Sequence, residues 1–200
     1  MKIQIKEMTP GLWEDLEQLF GEKGACGGCW CMWWRIEAGE KWQHLKGPPA
    51  KKRLHTMIEN GAVRGLIAYH QNEPIGWCTF GKRTDFPRLN RARTLQCPDA
   101  DKVACVPCFY VKNRYRKQGV STELLKAAVR TLAGEGETMV EGYPVKPTKP
   151  GNQNIPGAFV FTGTIPLFEK QGFALAGSPL PSKLRYRKAL PRKTQYTPIG

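Results

Sequence analysis

"FYVKNRYRKQGVSTELLKAAV", residues 109–129, decides the fold. Its first three residues close the nearly continuous apolar run "VACVPCFYV" (103–111), which reads as a strand in the middle of a sheet. From Val120 the apolar residues fall at Leu124, Leu125, Ala128 and Leu132, a helical stripe that ends near "GEG" (134–136). Between strand and helix lies a turn carrying Arg116, Lys117 and Gly119. A helix start has backbone N–H groups without intrahelical partners and the positive end of the helix dipole, which together attract anions. Glycine there lets the backbone approach a ligand closely. No capping box occupies the donors, because the residue three before Glu123 is Val120. Taken alone, the stretch suits a phosphate-holding turn and an ordinary basic helix start equally. Neither G-x-x-x-x-G-K-[ST] nor G-x-G-x-x-G is present.

The remaining elements alternate around it. "KIQIKEM" alternates as a strand, and "TPGLWEDLEQLF" opens a helix with Thr9 as N-cap and Pro10 at the first position. "GPPAKKRLHTMIENG" reads as a second helix with prolines at its start and Gly61 past its end. "VRGLIAYH", a turn at "QNEP" and "IGWCTFGKR" make a hairpin. Residues 84–102 read as a long polar loop. "TMVEGYPV" is a short strand, "KPTKPGNQNIPG" a loop, "TIPLFEKQGF" a short helix closed by Gly172, and "KLRYRKAL" a final edge strand whose basic residues discourage aggregation. Mixed strands and helices without a repeat predict a single α/β domain over residues 1–187, followed by a basic tail at 188–200.

Composition sets the outer bounds. Two hundred residues with 40% hydrophobic and 10% aromatic content fit one soluble domain with its own core. "MKIQIKEMTP" is unlike a signal peptide and no run approaches a membrane span, so a cytoplasmic protein is expected. The net charge is +14, and no acidic residue follows Glu169. Such a field attracts polyanions, nucleic acid or a phosphorylated small molecule, although a solvated basic surface accounts for it equally. Seven cysteines are an odd number, so free thiols are the default. Cys26, Cys29 and Cys31 resemble a metal-ligand run, and Cys105 and Cys108 add a second C-x-x-C. On a regular strand residues three apart face opposite ways, which suits chelation poorly, so no metal is expected.

The stretch around Gly119 resembles the central motif of the GNAT superfamily of N-acetyltransferases. Val111, Tyr115, Arg116 and Gly119 match that pattern, while Ser121 stands where a glycine or alanine is usual. "LFEKQGF" (167–173) resembles the family's downstream L-Y-x-K-x-G-F segment. "CWCMWWR", "GWCTFGKRTDFPRL", "CFYV" and "EGYPV" are similar to one bacterial subgroup of the family. The resemblance implies a GNAT-like fold, with a mixed, mostly antiparallel central sheet flanked by helices.

It further implies acetyl-CoA as co-substrate and a small-molecule or peptide amine as acceptor. Arg116, Lys117, Gln118, Gly119, Val120, Ser121 and Thr122 would wrap the pyrophosphate. Phe109, Tyr110 and Val111 would pair like a strand with the pantetheine amides, and an N–H near Phe109 would face the thioester carbonyl. The amine would attack the thioester directly. Phe168 occupies the position where the family often carries a tyrosine that protonates the departing thiolate, and Tyr143 or Tyr110 are its candidate replacements. Glu141 is the first choice of base, and Cys108 allows a rival route through an acetylated thiol. Trp30, Trp33 and Trp34 would wall the acceptor pocket, with core packing as the alternative for at least one. The three histidines suggest no role. A coenzyme A sensor without turnover and a basic nucleic-acid-binding module are the competing functions. A membrane partner is not expected, nucleic acid is disfavoured because aromatics do not interleave with the basic run, and a homodimer stays open.

Overall fold

Gln71 and Asn72 both take left-handed backbone conformations, φ 49° and 64°. That geometry turns a chain through a two-residue hairpin without splaying the strands. It joins β2 (Arg64–His70) to β3 (Glu73–Lys82), whose registers pair His70 with Glu73 and Arg64 with Phe80. The computed structural model describes residues 1–146, 160–177 and 184–191. Most of the "KPTKPGNQNIPG" loop and the tail beyond Pro191 lie outside the described residues.

β1 (Gln4–Glu7) lies antiparallel to β2, and β4 (Ala104–Val111) antiparallel to β3. β5 (Met139–Gly142) is parallel to β4. β7 (Tyr186–Ala189) and the two-residue β6 (Ala174–Leu175) complete a seven-stranded sheet in the order β1-β2-β3-β4-β5-β7-β6. The expected edge strand is therefore interior, because β6 covers it. Its Arg187 is turned onto Glu141 and Asp99 instead of guarding an edge. β7 also continues past residue 187, and the Leu190 N–H donates to the Thr138 carbonyl.

Both faces of the sheet are covered, which is why β2, β3 and β4 are apolar throughout. On one face α1 (Trp13–Phe20), α3 (Pro48–Glu59) and the segment around Trp30–Trp34 pack on Ile67, Trp77, Cys105 and Cys108. On the other, α5 (Val120–Gly134) and α6 (Ile165–Glu169) pack on Ala68, Phe80, Val106 and Phe109. Gly76 lets α5 come close, since a Cβ there would meet Val120 at 2.7 Å. Helix α1 begins one turn later than expected: Pro10–Leu12 form a 3₁₀ turn, and the Thr9 side chain makes no cap bond. A short helix, α2 (Trp42–Leu45), precedes α3.

Residues 84–102 are not a solvated loop. They contain α4 (Pro87–Arg91) and 3₁₀ turns at 93–95 and 100–102, with Phe86, Leu89 and Leu95 buried. Arg83 organises them: its guanidinium donates to the Leu89 and Leu95 carbonyls, at 3.3 and 2.5 Å. Apolar residues spaced irregularly among turn formers carry no periodic signal, so this packing was illegible.

Candidate functional site

The link from β4 to α5 is held by one carboxylate. Glu73, at the start of β3, receives Lys112 Nζ at 2.9 Å, Tyr115 Oη at 2.7 Å and the Arg114 guanidinium. These donors, Tyr115 first and then Lys112, hold its carboxyl down to about 2. Arg116 bends back, its Nε donating to the Val111 carbonyl at 3.1 Å, and Gln118 Nε2 reaches the Arg114 carbonyl at 2.7 Å. The turn then passes through left-handed conformations at Lys117 (φ 60°) and Gly119 (φ 84°). Gly119 is the N-cap of α5, and no side chain caps the helix. The N–H groups of Gly119, Val120, Ser121 and Thr122 therefore lack intrahelical acceptors by position. A Cβ on Gly119 would meet nothing within 4 Å, so this helix start opens to solvent. Lys117 and Gln118 are exposed beside it.

The second feature is a divergence of strands. β4 pairs with β5 only at Ala104, Cys105 and Val106, after which β5 ends. Opposite β3, Cys105 pairs with Gly81 and Cys108 with Thr79, so β4 carries one extra residue, a bulge at Val106–Pro107. Proline suits that position, having no N–H to offer a neighbouring strand. The freed edge of β4 is partly engaged. Trp34 Nε1 donates to the Pro107 carbonyl at 3.0 Å, and the Phe109 N–H donates to the Phe161 carbonyl at 2.6 Å. By strand alternation the Phe109 carbonyl and the Val111 N–H face the same opening. The Phe109 amide expected to meet a thioester is thus already bonded within the chain. Tyr110 lies half-buried on the opposite face, edge-on to Phe20 at 5.5 Å.

Beneath the opening sit Glu141 and Tyr143, both fully buried. Glu141 accepts from the Arg83 guanidinium and from Arg187 Nε at 2.7 Å, with Arg185 Nε 3.7 Å away. Its carboxylate is a counter-ion tying β5 to the 83–102 segment and β7. Both oxygens of Glu141, the expected base, are engaged by arginines. The Tyr143 hydroxyl accepts from Arg83 at 2.8 Å, and burial, then Cys105 and Glu141, push its pKa well up. Phe168 is also fully buried, edge-on to Phe109 and Phe173, and presses so close to Gly142 that a Cβ there would lie 2.0 Å away. It is a core residue on the α5 face.

The three tryptophans separate. Trp30 is core, between Trp13 and Phe20 with ring centroids 6.0 and 5.5 Å away. Trp33 is half-buried, with the Arg88 guanidinium 3.7 Å from its ring centroid. Only Trp34 reaches the opening, bonding Pro107 and lying near Tyr143 and Phe161. The bulge also overturns the expectation that Cys105 and Cys108 face opposite ways: both point into the cluster with Trp34 and Trp77. Among the described residues, no group of three or more His, Cys, Asp or Glu is placed to hold a metal ion.

Glu73, Arg83 and the bulge were absent from the sequence reading. The first two act on residues tens of positions away, which no local spacing reveals. Pro107 inside an apolar strand was a usable signal of the bulge.

An uncapped, open helix start after a splayed, bulged strand places the chain among mixed α/β proteins. The profile of the Acetyltransferase (GNAT) family matches residues 29–148, and the chain belongs to that family. It is an acetyltransferase by that membership. Its fold is similar to that of an N-acetyltransferase from Staphylococcus aureus Mu50 (12% identity, TM-score 0.57, covering 96% of this chain and 100% of that one). It is similar too to PaiA N-acetyltransferase from Thermoplasma acidophilum in complex with coenzyme A (16%, 0.56, 94% and 99%). A third likeness is to a phosphinothricin acetyltransferase from Sinorhizobium meliloti in complex with AcCoA (14%, 0.57, 100% and 94%). No curated protein sequence matches the chain. Among the described residues no helix is long and apolar enough to cross a membrane.

Proposed function

We propose that the protein is an acetyl-CoA-dependent N-acetyltransferase, acting on a primary amine of a small molecule or peptide by direct attack. The observation that carries this reading is the start of α5, where Gly119 is left-handed, uncapped and open. A pyrophosphate fits such a start because the N–H groups of Gly119–Thr122 point out of the helix and the dipole favours negative charge. Ser121 is half-exposed and small enough not to obstruct them. Arg116 and Lys117 add charge at the rim, while the Glu73 clamp fixes the turn that presents the amides. The Phe109 carbonyl and Val111 N–H are the strand groups that suit a pantetheine amide. Acetyl-CoA brings an activated thioester, whose thiolate leaves readily at an ordinary thiol pKa of about 8.5. The chain's task is then chiefly to position an amine and exclude competing water.

Glu141 and Tyr143, expected as base and candidate acid, are both enclosed. Glu141 is neutralised by arginines, Tyr143 is sealed, and position 168 offers no hydroxyl. Cys108 is held as a thiol, its pKa raised by a hydrogen bond with Cys31 and then by burial, which disfavours it as an acetylated nucleophile. Those observations favour a second reading, a coenzyme A-binding sensor without turnover. Saturable thermal stabilisation by acetyl-CoA is expected under both. Release of free coenzyme A thiol with at least one amine of a broad panel supports the enzyme. Stabilisation without thiol release for any amine supports the sensor, and no stabilisation refutes both.

A further inference from the structure

Where β5 ends, the edge of β4 carries a row of backbone groups from the bulge to the turn. By strand alternation these are the Pro107 carbonyl, the Phe109 N–H and carbonyl, and the Val111 N–H. Lys112 has the opposite parity, and its N–H accordingly turns the other way, to the Ile75 carbonyl of β3. The chain itself takes the groups at the bulge end. Trp34 Nε1 donates to the Pro107 carbonyl at 3.0 Å, and the Phe109 N–H donates to the Phe161 carbonyl at 2.6 Å.

Neighbouring residues place Phe161 there. The Gly163 N–H donates to the Val160 carbonyl at 2.8 Å and closes a tight turn, with Gly163 left-handed at φ 91°. A Cβ at Gly163 would meet Phe168 at 2.8 Å, so glycine suits this turn on both counts. The Val145 N–H, just past β5, donates to the Gly163 carbonyl at 3.1 Å, and Val145 bridges Thr164 in parallel. Residues 161–164 therefore stand between the end of β5 on one side and Phe109 on the other. The half-buried Phe161 ring lies 6.3 Å from Trp34, the residue that holds the Pro107 carbonyl.

An extended ligand in this gap meets an edge of two halves. The Phe109 carbonyl and Val111 N–H face it at the α5 end. A ligand carbonyl one step nearer the bulge requires the Phe109 N–H, where the Phe161 carbonyl already sits.

We propose that the Phe161 carbonyl is an autoinhibitory contact, which occupies the Phe109 N–H in the free protein and yields it to the thioester carbonyl of acetyl-CoA. The proposal rests on the acetyl-CoA reading of this gap. Coenzyme A has no carbonyl at its sulfur, so it binds with the contact intact. The exchange puts one neutral acceptor in place of another on the same donor, so no hydrogen bond is lost at Phe109. Apparent affinity for acetyl-CoA is then lowered by the fraction of molecules in which Phe161 still holds the amide.

The test uses isotope-labelled full-length protein and the coupling that passes through a hydrogen bond from amide nitrogen to carbonyl carbon. A Phe109–Phe161 cross-peak is expected in the free protein and at saturating coenzyme A, and should vanish at saturating acetyl-CoA. Melting temperature, read in parallel, reports whether each ligand binds. No melting shift with acetyl-CoA would remove the acetyl-CoA reading and this proposal with it. A melting shift with the cross-peak retained would overturn the proposal alone, as would a cross-peak absent from the free protein or lost with coenzyme A. Phe161→Ala removes the ring contact with Trp34 that helps to hold the carbonyl in place. It should tighten acetyl-CoA by about threefold or more and leave coenzyme A affinity unchanged; equal changes for both ligands would contradict the contact. The wild-type cross-peak decides if the variant fails to fold.

Discussion

Replacing Glu141 by glutamine distinguishes a counter-ion from a catalytic base. The carboxylate is fully buried and receives Arg83, itself fully buried, together with Arg187. Glutamine keeps the shape but removes the charge, leaving the Arg83 guanidinium buried beside Tyr143 and two carbonyls. Breaking a buried pair from one side costs about 3–5 kcal/mol, because the surviving ion has no water to return to. For a chain of this size each kcal/mol moves the melting temperature by about 2–4 °C, so Glu141→Gln should lower it by roughly 6–20 °C. Thermal unfolding followed by tryptophan fluorescence is suitable, since Trp30, Trp34 and Trp77 are buried. The double variant Arg83→Met/Glu141→Leu should recover much of the loss, as replacing both ions removes the uncompensated charge. Turnover per folded molecule should change little. An unchanged melting temperature with turnover reduced a hundredfold or more would instead mark Glu141 as the base.

Other consequences follow from the same geometry. Gly119→Ala should destabilise by about 1–2 kcal/mol, the cost of a left-handed non-glycine residue, since its Cβ has free space. It should nevertheless weaken coenzyme A binding by about tenfold or more by calorimetry, a loss of about 1.4 kcal/mol; unchanged affinity would remove the turn from the site. Glu73 is a carboxylate with a depressed pKa, so its stabilisation is complete above its ordinary value of about 4.3. It should fade as pH falls from there towards about 2. In melting curves over that range Glu73→Gln should show a shallower acid loss than wild type; identical slopes would contradict the clamp. Phe168→Tyr should not gain activity but should lose about 1–3 kcal/mol from a buried, unpaired hydroxyl. A tenfold rise in kcat would show that the hydroxyl reaches the reacting groups.

Periodicity carried the fold well where the signal was local. The β2–β3 hairpin, the β4 run and the α5 stripe from Val120 appear where apolar spacing predicts them. The open turn at Gly119 was legible too, because a glycine before an uncapped helix has few structural alternatives. Legibility ended where long-range pairing decides. Glu141 read as a candidate base because nothing near it in sequence announces Arg83 or Arg187. Segment 84–102 read as a long polar loop because its three buried apolar residues lack a period. Phe109 read as an open amide because its partner, Phe161, comes from beyond a long connection. Trp30, Trp33 and Trp34 are neighbours in sequence, yet an irregular backbone sends them to core, rim and opening.

Under the proposed function, the uncapped amides at the start of α5 receive the pyrophosphate of acetyl-CoA. Amide proton–nitrogen shifts of Gly119, Val120, Ser121 and Thr122, followed during titration with acetyl-CoA, test it most directly. These four amides should move together and saturate at one ligand per chain. Shifts confined to other regions, or none at saturating ligand, would contradict it.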